Sequence, residues 1–232
     1  MSNPYFRFKQ FTVYHDLCAM KVGTDGVLLG AWTHCAGADT ILDVGTGSGL
    51  IALMLAQRCH AKIDALDIDT NACRQAGINF NRSPFAKQLN VYPIDFRQYQ
   101  PVYKYDLIVS NPPYFVDSLQ SPDRTRNLAR HTGELSFEDL FKTSCQWLSK
   151  NGKLSLIIPV DAFDRIQFLA GRNELYLNRK TIVRPREDLP PKRVLLEYST
   201  QMTGTESNEL FIEKSRHVYS EEYIELTQSY YL

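Results

Sequence analysis

The sequence predicts an α/β fold in which helices cover both faces of a parallel sheet. From Thr40 onward, short runs rich in β-branched and aliphatic residues alternate with segments of helical periodicity. A glycine-rich turn follows the first of these runs and opens the first helical segment. Strands that alternate with helices pair in parallel, because each crossover helix returns the chain to the same edge of the sheet.

The predicted elements alternate along the chain. Strands are predicted at Ile41–Val44, Ile63–Leu66, Asn90–Pro93, Tyr105–Ser110, Leu154–Ile158, Lys180–Val183 and Val194–Tyr198. Helices are predicted at Gly49–Cys59, Asn71–Asn81, Phe137–Leu148 and Asp161–Leu169, with Ser136 as the N-cap of the third. Residues 1–38 form an N-terminal extension, with a hairpin at Phe6–Tyr14 and a helix from Asp25 to about Thr33.

Composition narrows the possible functions. Lys and Arg together number 26, as do Asp and Glu, so a nucleic-acid partner requires a local basic patch. The first residues lack a secretory h-region, and apolar runs such as Leu154–Val160 are too short to span a membrane. The five cysteines never occur as C-x-x-C. We therefore expect a cytoplasmic protein with free thiols and no bound metal.

A glycine loop, Asp43-Val44-Gly45-Thr46-Gly47-Ser48-Gly49, follows a strand and opens a helix. Glycines let the backbone approach a ligand closely, and a helix N-terminus favours negative charge. A nicotinamide site requires a third glycine where Leu50 stands, so that fingerprint is not met. Glycine at every second position after an acid instead resembles motif I of S-adenosylmethionine methyltransferases.

Acids after the next two strands complete the predicted cofactor site. Asp67 ends the second strand, where a carboxylate can accept both ribose hydroxyls of a nucleoside. Asp69 is predicted to cap the following helix instead. Asp95 and Phe96 follow the third strand, where methyltransferases of this fold hold the cofactor adenine. Asp95 is expected to bond the adenine amino group, and Phe96 to pack on the ring.

The tetrapeptide Asn111-Pro112-Pro113-Tyr114 directly follows the fourth strand. It resembles motif IV of amino-methyltransferases, which act on adenine N6, cytosine N4, guanine N2 or a glutamine nitrogen. The Asn111 side-chain oxygen and the Pro112 carbonyl can each accept one N–H of such an amine, which directs its lone pair toward the methyl donor. Tyr114 can stack on an extruded base. Asn111 is therefore expected to border the cofactor as well as the substrate.

The whole chain resembles the YfiC-like family, bacterial tRNA1(Val) adenine-N6 methyltransferases that modify adenine 37, just 3′ of the anticodon. Besides the two motifs, the resemblance rests on Phe11–Val13, Met20–Trp32 and Arg126–His131. It covers about Phe6 to Tyr198, and the tail from Thr203 matches only loosely. It implies a class I methyltransferase (Rossmann-like) domain over residues 39–232, with a seven-stranded mixed sheet and S-adenosyl-L-methionine as cofactor.

The resemblance adds further candidate residues. Lys21 and Thr24 are placed near the methionine end of the cofactor, whereas the residues alone predict that Thr24-Asp25 caps a helix starting at Gly26. Between residues 115 and 135 the chain is polar and without clear periodicity, as functional loops often are. Its candidate tRNA phosphate contacts are Arg124, Arg126, Arg130 and His131. A second basic group, which extends the same patch, comprises Arg184, Arg186, Lys192 and Arg193.

Three alternatives stay open. A protein glutamine N5-methyltransferase also uses this tetrapeptide, but such enzymes usually carry a helical N-terminal domain, and about 39 residues precede the first strand here. Guanine-N2 methylation of ribosomal RNA uses a similar tetrapeptide. The third alternative is a non-catalytic RNA-binding module, which would need neither the tetrapeptide nor the acidic cofactor positions.

Overall fold

The computed structural model describes residues 3–18, 20–112 and 135–232. The strands are β1 Tyr5–Arg7, β2 Thr12–Tyr14, β3 Thr40–Val44, β4 Lys62–Asp67, β5 Leu89–Pro93, β6 Tyr105–Ser110, β7 Leu148–Pro159, β8 Tyr176–Arg184, β9 Arg193–Ser199, β10 Glu206–Phe211, β11 Glu213–Ser215 and β12 Val218–Tyr219. The helices are α1 Thr24–Trp32, α2 Leu50–Ala56, α3 Thr70–Arg82, α4 Phe137–Trp147, α5 Phe163–Arg172 and α6 Glu221–Thr227. Two short 3-10 helices, Ala86–Gln88 and Val160–Ala162, precede β5 and α5.

A central sheet has the strand order β10-β8-β9-β7-β6-β3-β4-β5. All neighbouring strands pair in parallel except β9, which is antiparallel to both β7 and β8. The carboxyl ends of β3 to β8 therefore lie at one edge. The chain order reverses at β3, with β4 on one side and β6 on the other. Such a switch point leaves a crevice for a ligand at the carboxyl edge.

The sheet is mixed, as expected, but it contains eight strands within the described residues rather than seven. The additional strand, β10, runs parallel to β8 from Glu206↔Arg179 to Phe211↔Arg184. Of its six residues only Leu210 is buried. The strand is thus held mainly by main-chain pairing, which leaves no alternating apolar pattern in the sequence to indicate it.

Side chains alternate between two cores, one on each face of the sheet. On β3, Ile41 packs with α1, α2, α3 and the β1–β2 hairpin, whereas Leu42 packs with α4 and α5. This is the two-residue period of a strand that is covered on both sides. The first core includes Phe8 from the hairpin, so the N-terminal segment packs on the same sheet.

Two capping predictions have different outcomes. Asp69 caps α3 as predicted, because its side chain accepts the Asn71 N–H at 2.9 Å. The prediction for α1 is wrong: this helix starts at Thr24, its N-cap is Gly23, and no side chain caps it. Asp25 lies in the first turn, where its carboxylate accepts a hydrogen bond from Arg193 on β9 at 2.8 Å.

Two further findings concern the cysteines and the apolar character of the helices. All five cysteines lie within the described residues, and each is a free thiol. Over the same residues, no helix combines the length and the apolar character needed to cross a membrane.

Candidate active site

A cavity of about 280 Å³ opens at the carboxyl edge, where the chain order reverses. It is lined by residues from the ends of β3, β4, β5 and β6 and from two flanking segments: Cys18, Met20, Val44, Gly45, Gly47, Leu66, Asp67, Ile68, Asp69, Ala72, Ile94, Asp95, Phe96, Ser110, Asn111, Pro112 and Leu135. The cavity thus brings the predicted glycine loop, the two acids and the start of the tetrapeptide together.

The three glycines of the loop have two different roles. Gly45, Gly47 and Gly49 have φ angles of 74°, 56° and 82°, in the left-handed region that favours glycine. Gly45 and Gly47 line the cavity, and no atom lies within 4 Å of the place where their Cβ would stand. Gly49 is outside the lining, and its Cβ would lie 2.4 Å from the Phe80 ring. The first two glycines leave room for a ligand, whereas Gly49 allows the chain just before α2 to lie against Phe80 on α3.

Asp67 holds the glycine loop and still faces the cavity. Its Oδ2 accepts the Gly47 N–H at 2.8 Å, and its Oδ1 accepts the Asp69 N–H at 2.9 Å. Each carboxylate oxygen has two acceptor positions, so each keeps one for a further donor. The arrangement can accommodate two ribose hydroxyls, and that role stays a prediction.

Asp43 lies behind the loop rather than in the cavity wall. It is fully buried, and its Oδ2 accepts the Thr46 hydroxyl at 2.7 Å. Its Oδ1 makes no hydrogen bond of ordinary geometry with the described residues. Burial raises the pKa of Asp43 to about 7, and the Thr46 hydroxyl and the Ala52 N–H offset this only in part. The residue therefore supports the turn that Gly45 and Gly47 make.

Asp95 and Phe96 both line the cavity, but each already has a partner. The Asp95 carboxylate accepts from Arg97 through Nε and Nη2, and this contact lowers its pKa. Phe96 is 4% exposed and packs edge-on against Trp147 at 4.7 Å between ring centroids. A cofactor adenine would thus contact a carboxylate that is ionised and already bound to Arg97, and only the small exposed part of the Phe96 ring. Both contacts stay predictions.

Asn111 and Pro112 complete the cavity beside the glycine loop. The Ser110 hydroxyl donates to the Val44 carbonyl at 2.8 Å and fixes the end of β6 against β3. Pro112 is buried and Asn111 is half-buried, and both line the cavity. The other substrate candidates lie outside the described residues: Pro113, Tyr114, Arg124, Arg126, Arg130 and His131.

The N-terminal segment contributes to the site through residues that sequence reasoning did not single out. Lys21 and Thr24 are exposed and are not part of the lining, whereas Cys18 and Met20 are. Burial raises the pKa of the Cys18 thiol to about 11, and the Asp67 and Asp69 carboxylates add to this effect. Cys18 is therefore a neutral wall residue at physiological pH, not a nucleophile.

The second predicted basic group lies at the carboxyl edge of the sheet, as the cavity does; it comprises Arg184, Arg186, Lys192 and Arg193. β8 runs parallel to β7 and ends at Arg184, so the loop to Arg193 projects at the carboxyl edge. Arg184 pairs with Glu209 at 3.2 Å, and Arg186 pairs with Asp188 at 2.9 Å. These pairs are at least partly exposed, so an RNA phosphate can compete for the guanidinium groups.

Two comparisons with solved structures support the fold alone, because the sequence identities are low. A predicted O-methyltransferase, protein Atu636 from Agrobacterium tumefaciens, has a TM-score of 0.68 and 18% identity over 89% of this chain and 96% of that chain. The glycopeptide N-methyltransferase MtfA complexed with S-adenosyl-L-methionine has a TM-score of 0.58 and 11% identity, over 78% of this chain and 100% of that chain.

Comparisons of sequence, unlike those of structure, identify the family of the chain. Residues 26–162, more than half of the chain, match the family model of the methyltransferase small domain. The tRNA1(Val) (adenine(37)-N6)-methyltransferase of Parabacteroides distasonis is 52% identical over 235 residues, which cover 100% of this chain and 99% of that relative. The resemblance drawn from the sequence is confirmed: the chain belongs to the methyltransferase small domain family and, along its whole length, to the tRNA1(Val) (adenine(37)-N6)-methyltransferase family.

Proposed function

We propose that this protein transfers the methyl group of S-adenosyl-L-methionine to N6 of adenine 37 in tRNA1(Val), with S-adenosyl-L-homocysteine as the second product. The observation that carries the proposal is one cavity lined by Gly45, Gly47, Asp67, Asn111 and Pro112. These residues supply a place for a nucleoside cofactor and, directly beside it, two acceptors for an amine. We expect the reaction in the cytoplasm, where tRNA is found.

The cavity fits the cofactor in shape and in chemistry. The missing Cβ atoms of Gly45 and Gly47 leave the loop open to a close ligand. Asp67 has acceptor positions for ribose hydroxyls, and Leu66 and Ile94 offer apolar contact for a purine. When bound, the cofactor supplies an electrophilic methyl group on its sulfonium sulfur.

The amine is activated by position rather than by a strong base. An adenine N6 shares its lone pair with the ring and is a poor nucleophile in the plane. Two acceptors, Asn111 Oδ1 and the Pro112 carbonyl, draw the two N–H bonds out of that plane and free the lone pair. The nitrogen loses its proton after methyl transfer, so no side chain with a tuned pKa is needed before attack. Tyr114, beyond the described residues, is proposed to stack on the base.

The RNA is proposed to run along the carboxyl edge of the sheet. Arg126 and Arg130 follow the tetrapeptide in sequence, and the β8–β9 loop with Arg186 and Lys192 projects at the same edge. Because the net charge is zero, such a local patch must provide the attraction to phosphate.

Methyl transfer to a tRNA1(Val) transcript tests the proposal. We expect N6-methyladenosine in the digested product, and none when adenine 37 is replaced by guanine. Asn111→Ala should lower kcat by about a hundredfold or more, with cofactor affinity nearly unchanged. Asn81→Ala, on the exposed face of α3, is the matched control. N2-methylguanosine, methylation of a protein glutamine, or a fully active Asn111→Ala enzyme would each contradict the proposal.

A further inference from the structure

Residues that follow the β1–β2 hairpin form one wall of the cofactor cavity. We call residues 14–18 and Met20 the N-terminal wall, since Cys18 and Met20 both line the cavity. Met20 is 69% exposed and Cys18 is half-buried, so the wall is thin and borders solvent. Bonds such as that from the His15 N–H to the Pro4 carbonyl, at 3.0 Å, hold the wall within the N-terminal segment, so its position relative to the glycine loop depends on its attachments to the domain.

Asn79 makes three hydrogen bonds that provide part of this attachment. Its Oδ1 accepts the Tyr14 N–H at 3.0 Å, and its Nδ2 donates to the Tyr14 carbonyl at 2.8 Å. The same Nδ2 donates to the Ser48 carbonyl at 2.8 Å. Ser48 lies between Gly47 and Gly49, so one buried amide joins the N-terminal wall to the glycine loop.

Gln75 provides a second attachment one helical turn earlier. Its Oε1 accepts the Leu17 N–H at 3.0 Å, next to cavity residue Cys18. Gln75 and Asn79 are spaced i, i+4 and therefore share one face of α3. They are 1% and 0% exposed, on a helix whose other buried residues include Ala76 and Phe80.

Such buried amides are costly unless they are paired, and an apolar residue in their place would leave the backbone groups that they bond without partners. In these hydrogen bonds their partners are backbone groups of two segments that border the cavity, the N-terminal wall and the glycine loop. The hydrogen bonds thus constrain the separation between the N-terminal wall and the glycine loop.

We propose that Asn79 and Gln75 are positioning residues that set the width of the cofactor cavity by tying the N-terminal wall and the glycine loop to the same helix. This inference rests on the proposed function, because it takes S-adenosyl-L-methionine as the ligand. It gives the N-terminal segment a direct part in cofactor binding, although neither amide touches the cavity.

Cofactor affinity, measured by calorimetry with S-adenosyl-L-homocysteine, tests the inference. Asn79→Asp keeps the shape but loses both donated bonds, and Gln75→Met loses the acceptor for Leu17. Each should weaken binding about tenfold or more, as expected for lost hydrogen bonds to buried groups. In turnover assays the KM for the cofactor should rise by a similar factor, while kcat at saturation and the KM for tRNA stay within about threefold.

Three further variants separate positioning from loss of stability. Asn81→Asp is the matched control on the exposed face of α3. Leu169→Ala, in the core on the opposite face of the sheet, lowers stability without contact with the wall. Met20→Ala changes a wall residue that is 69% exposed, and it should weaken cofactor binding on its own with little change in Tm.

Hydrogen exchange gives an independent readout. The Tyr14 and Leu17 amides should exchange slowly in the wild type and faster in the corresponding variants, and cofactor should slow them again. Wild-type affinity in both amide variants and in Met20→Ala would overturn the inference and leave the proposed function intact. If Leu169→Ala loses as much cofactor affinity as the amide variants at equal Tm, the inference is likewise overturned and the proposed function stays intact. A wild-type enzyme that binds no cofactor would instead overturn the proposed function, and this inference with it.

Discussion

The carboxylate of Asp67 accepts the backbone N–H of Gly47 at 2.8 Å, which joins the end of β4 to the loop after β3. The same carboxylate faces the cavity, so one side chain both shapes the glycine loop and presents acceptors to a ligand. Its neighbour Asp69 also lines the cavity, but its carboxylate caps α3. This difference between two nearby acids leads to the first prediction.

Asp67→Ala should weaken binding of S-adenosyl-L-methionine by about 1.5–3 kcal/mol, as expected for hydrogen bonds to a charged group. Asp69→Ala is the control: it should lower the free energy of unfolding by about 1 kcal/mol, because a helix cap is lost, with little change in affinity. Calorimetry and thermal unfolding of both variants measure the two effects. Equal affinity loss in the two variants would argue against a specific ribose contact at Asp67.

Asp43 predicts a stability change with pH. Its pKa in the folded protein is about 7, raised by burial from 3.8 in the unfolded chain. The folded state therefore keeps a proton that the unfolded state releases, and this contribution is lost as the pH rises from about 4 to about 7. Relative to Asp43→Asn, the wild type should lose up to about 1.4 kcal/mol per pH unit across that window.

Urea unfolding of the wild type and of Asp43→Asn between pH 4 and pH 8 measures the difference, and other carboxylates cancel in the comparison. Two parallel stability curves would mean that Asp43 is ionised throughout, with a bound water or a shifted Thr46 as its partner.

The glycine loop predicts that two similar substitutions have different effects. Gly49→Ala places a Cβ 2.4 Å from Phe80 at a φ of 82° and should destabilise the fold by about 1–3 kcal/mol. Gly47→Ala should cost about 1–2 kcal/mol of strain but should mainly weaken cofactor binding, because its Cβ enters the cavity side. Gly171→Ala, in α5 with open space around it, is the control and should not destabilise. Thermal unfolding and calorimetry distinguish the three, and a Gly47→Ala protein with full affinity would place the ligand elsewhere.

The basic groups predict the salt dependence of tRNA binding. Two double variants test these groups: one carries Arg126→Ala and Arg130→Ala, the other Arg186→Ala and Lys192→Ala. Each should reduce the slope of log affinity against log salt by about 1–2, with unchanged cofactor affinity. Lys87→Ala is the control, because Lys87 precedes β5 and so lies at the opposite edge of the sheet. Filter binding over a salt series measures the slopes. A basic pair whose loss leaves the slope unchanged contacts no phosphate.

Local sequence signals determined most of the fold. The strands β3 to β6 follow their predicted positions within one or two residues, because each is a short segment with aliphatic residues between turn residues. Strand β7 begins at Leu148, before its apolar run at Leu154, because Leu148 already pairs with Tyr105 of β6; the register then shifts, and pairing with β6 and β9 continues from Lys153. Pairing of this kind depends on neighbouring strands that no local pattern in the sequence records.

The site was predictable where one motif carries the chemistry, as for Gly45, Gly47, Asp67 and Asn111, which all reach the cavity. Contributions that depend on contacts between residues far apart in the sequence could not be predicted. Met20, for example, follows a segment whose Tyr14 and Leu17 are bonded by buried amides on α3, far along the chain. Asp95 was assigned to a ligand from its position alone, whereas its pairing with Arg97 depends on the turn that follows β5.

The main-chain hydrogen bond from Lys9 to the Tyr230 carbonyl, at 2.8 Å, has a consequence for biosynthesis. The Lys9 ammonium also donates to the Gln228 carbonyl, 219 residues further along the chain. At about 5–20 residues per second, a ribosome needs roughly 10–45 s to make that stretch. The hairpin is therefore made well before its partner residues and can reach its final position only once they are present. We expect newly made chains to acquire cofactor affinity only after residues 228–230 have been made, later than strands β3 to β7 acquire resistance to protease.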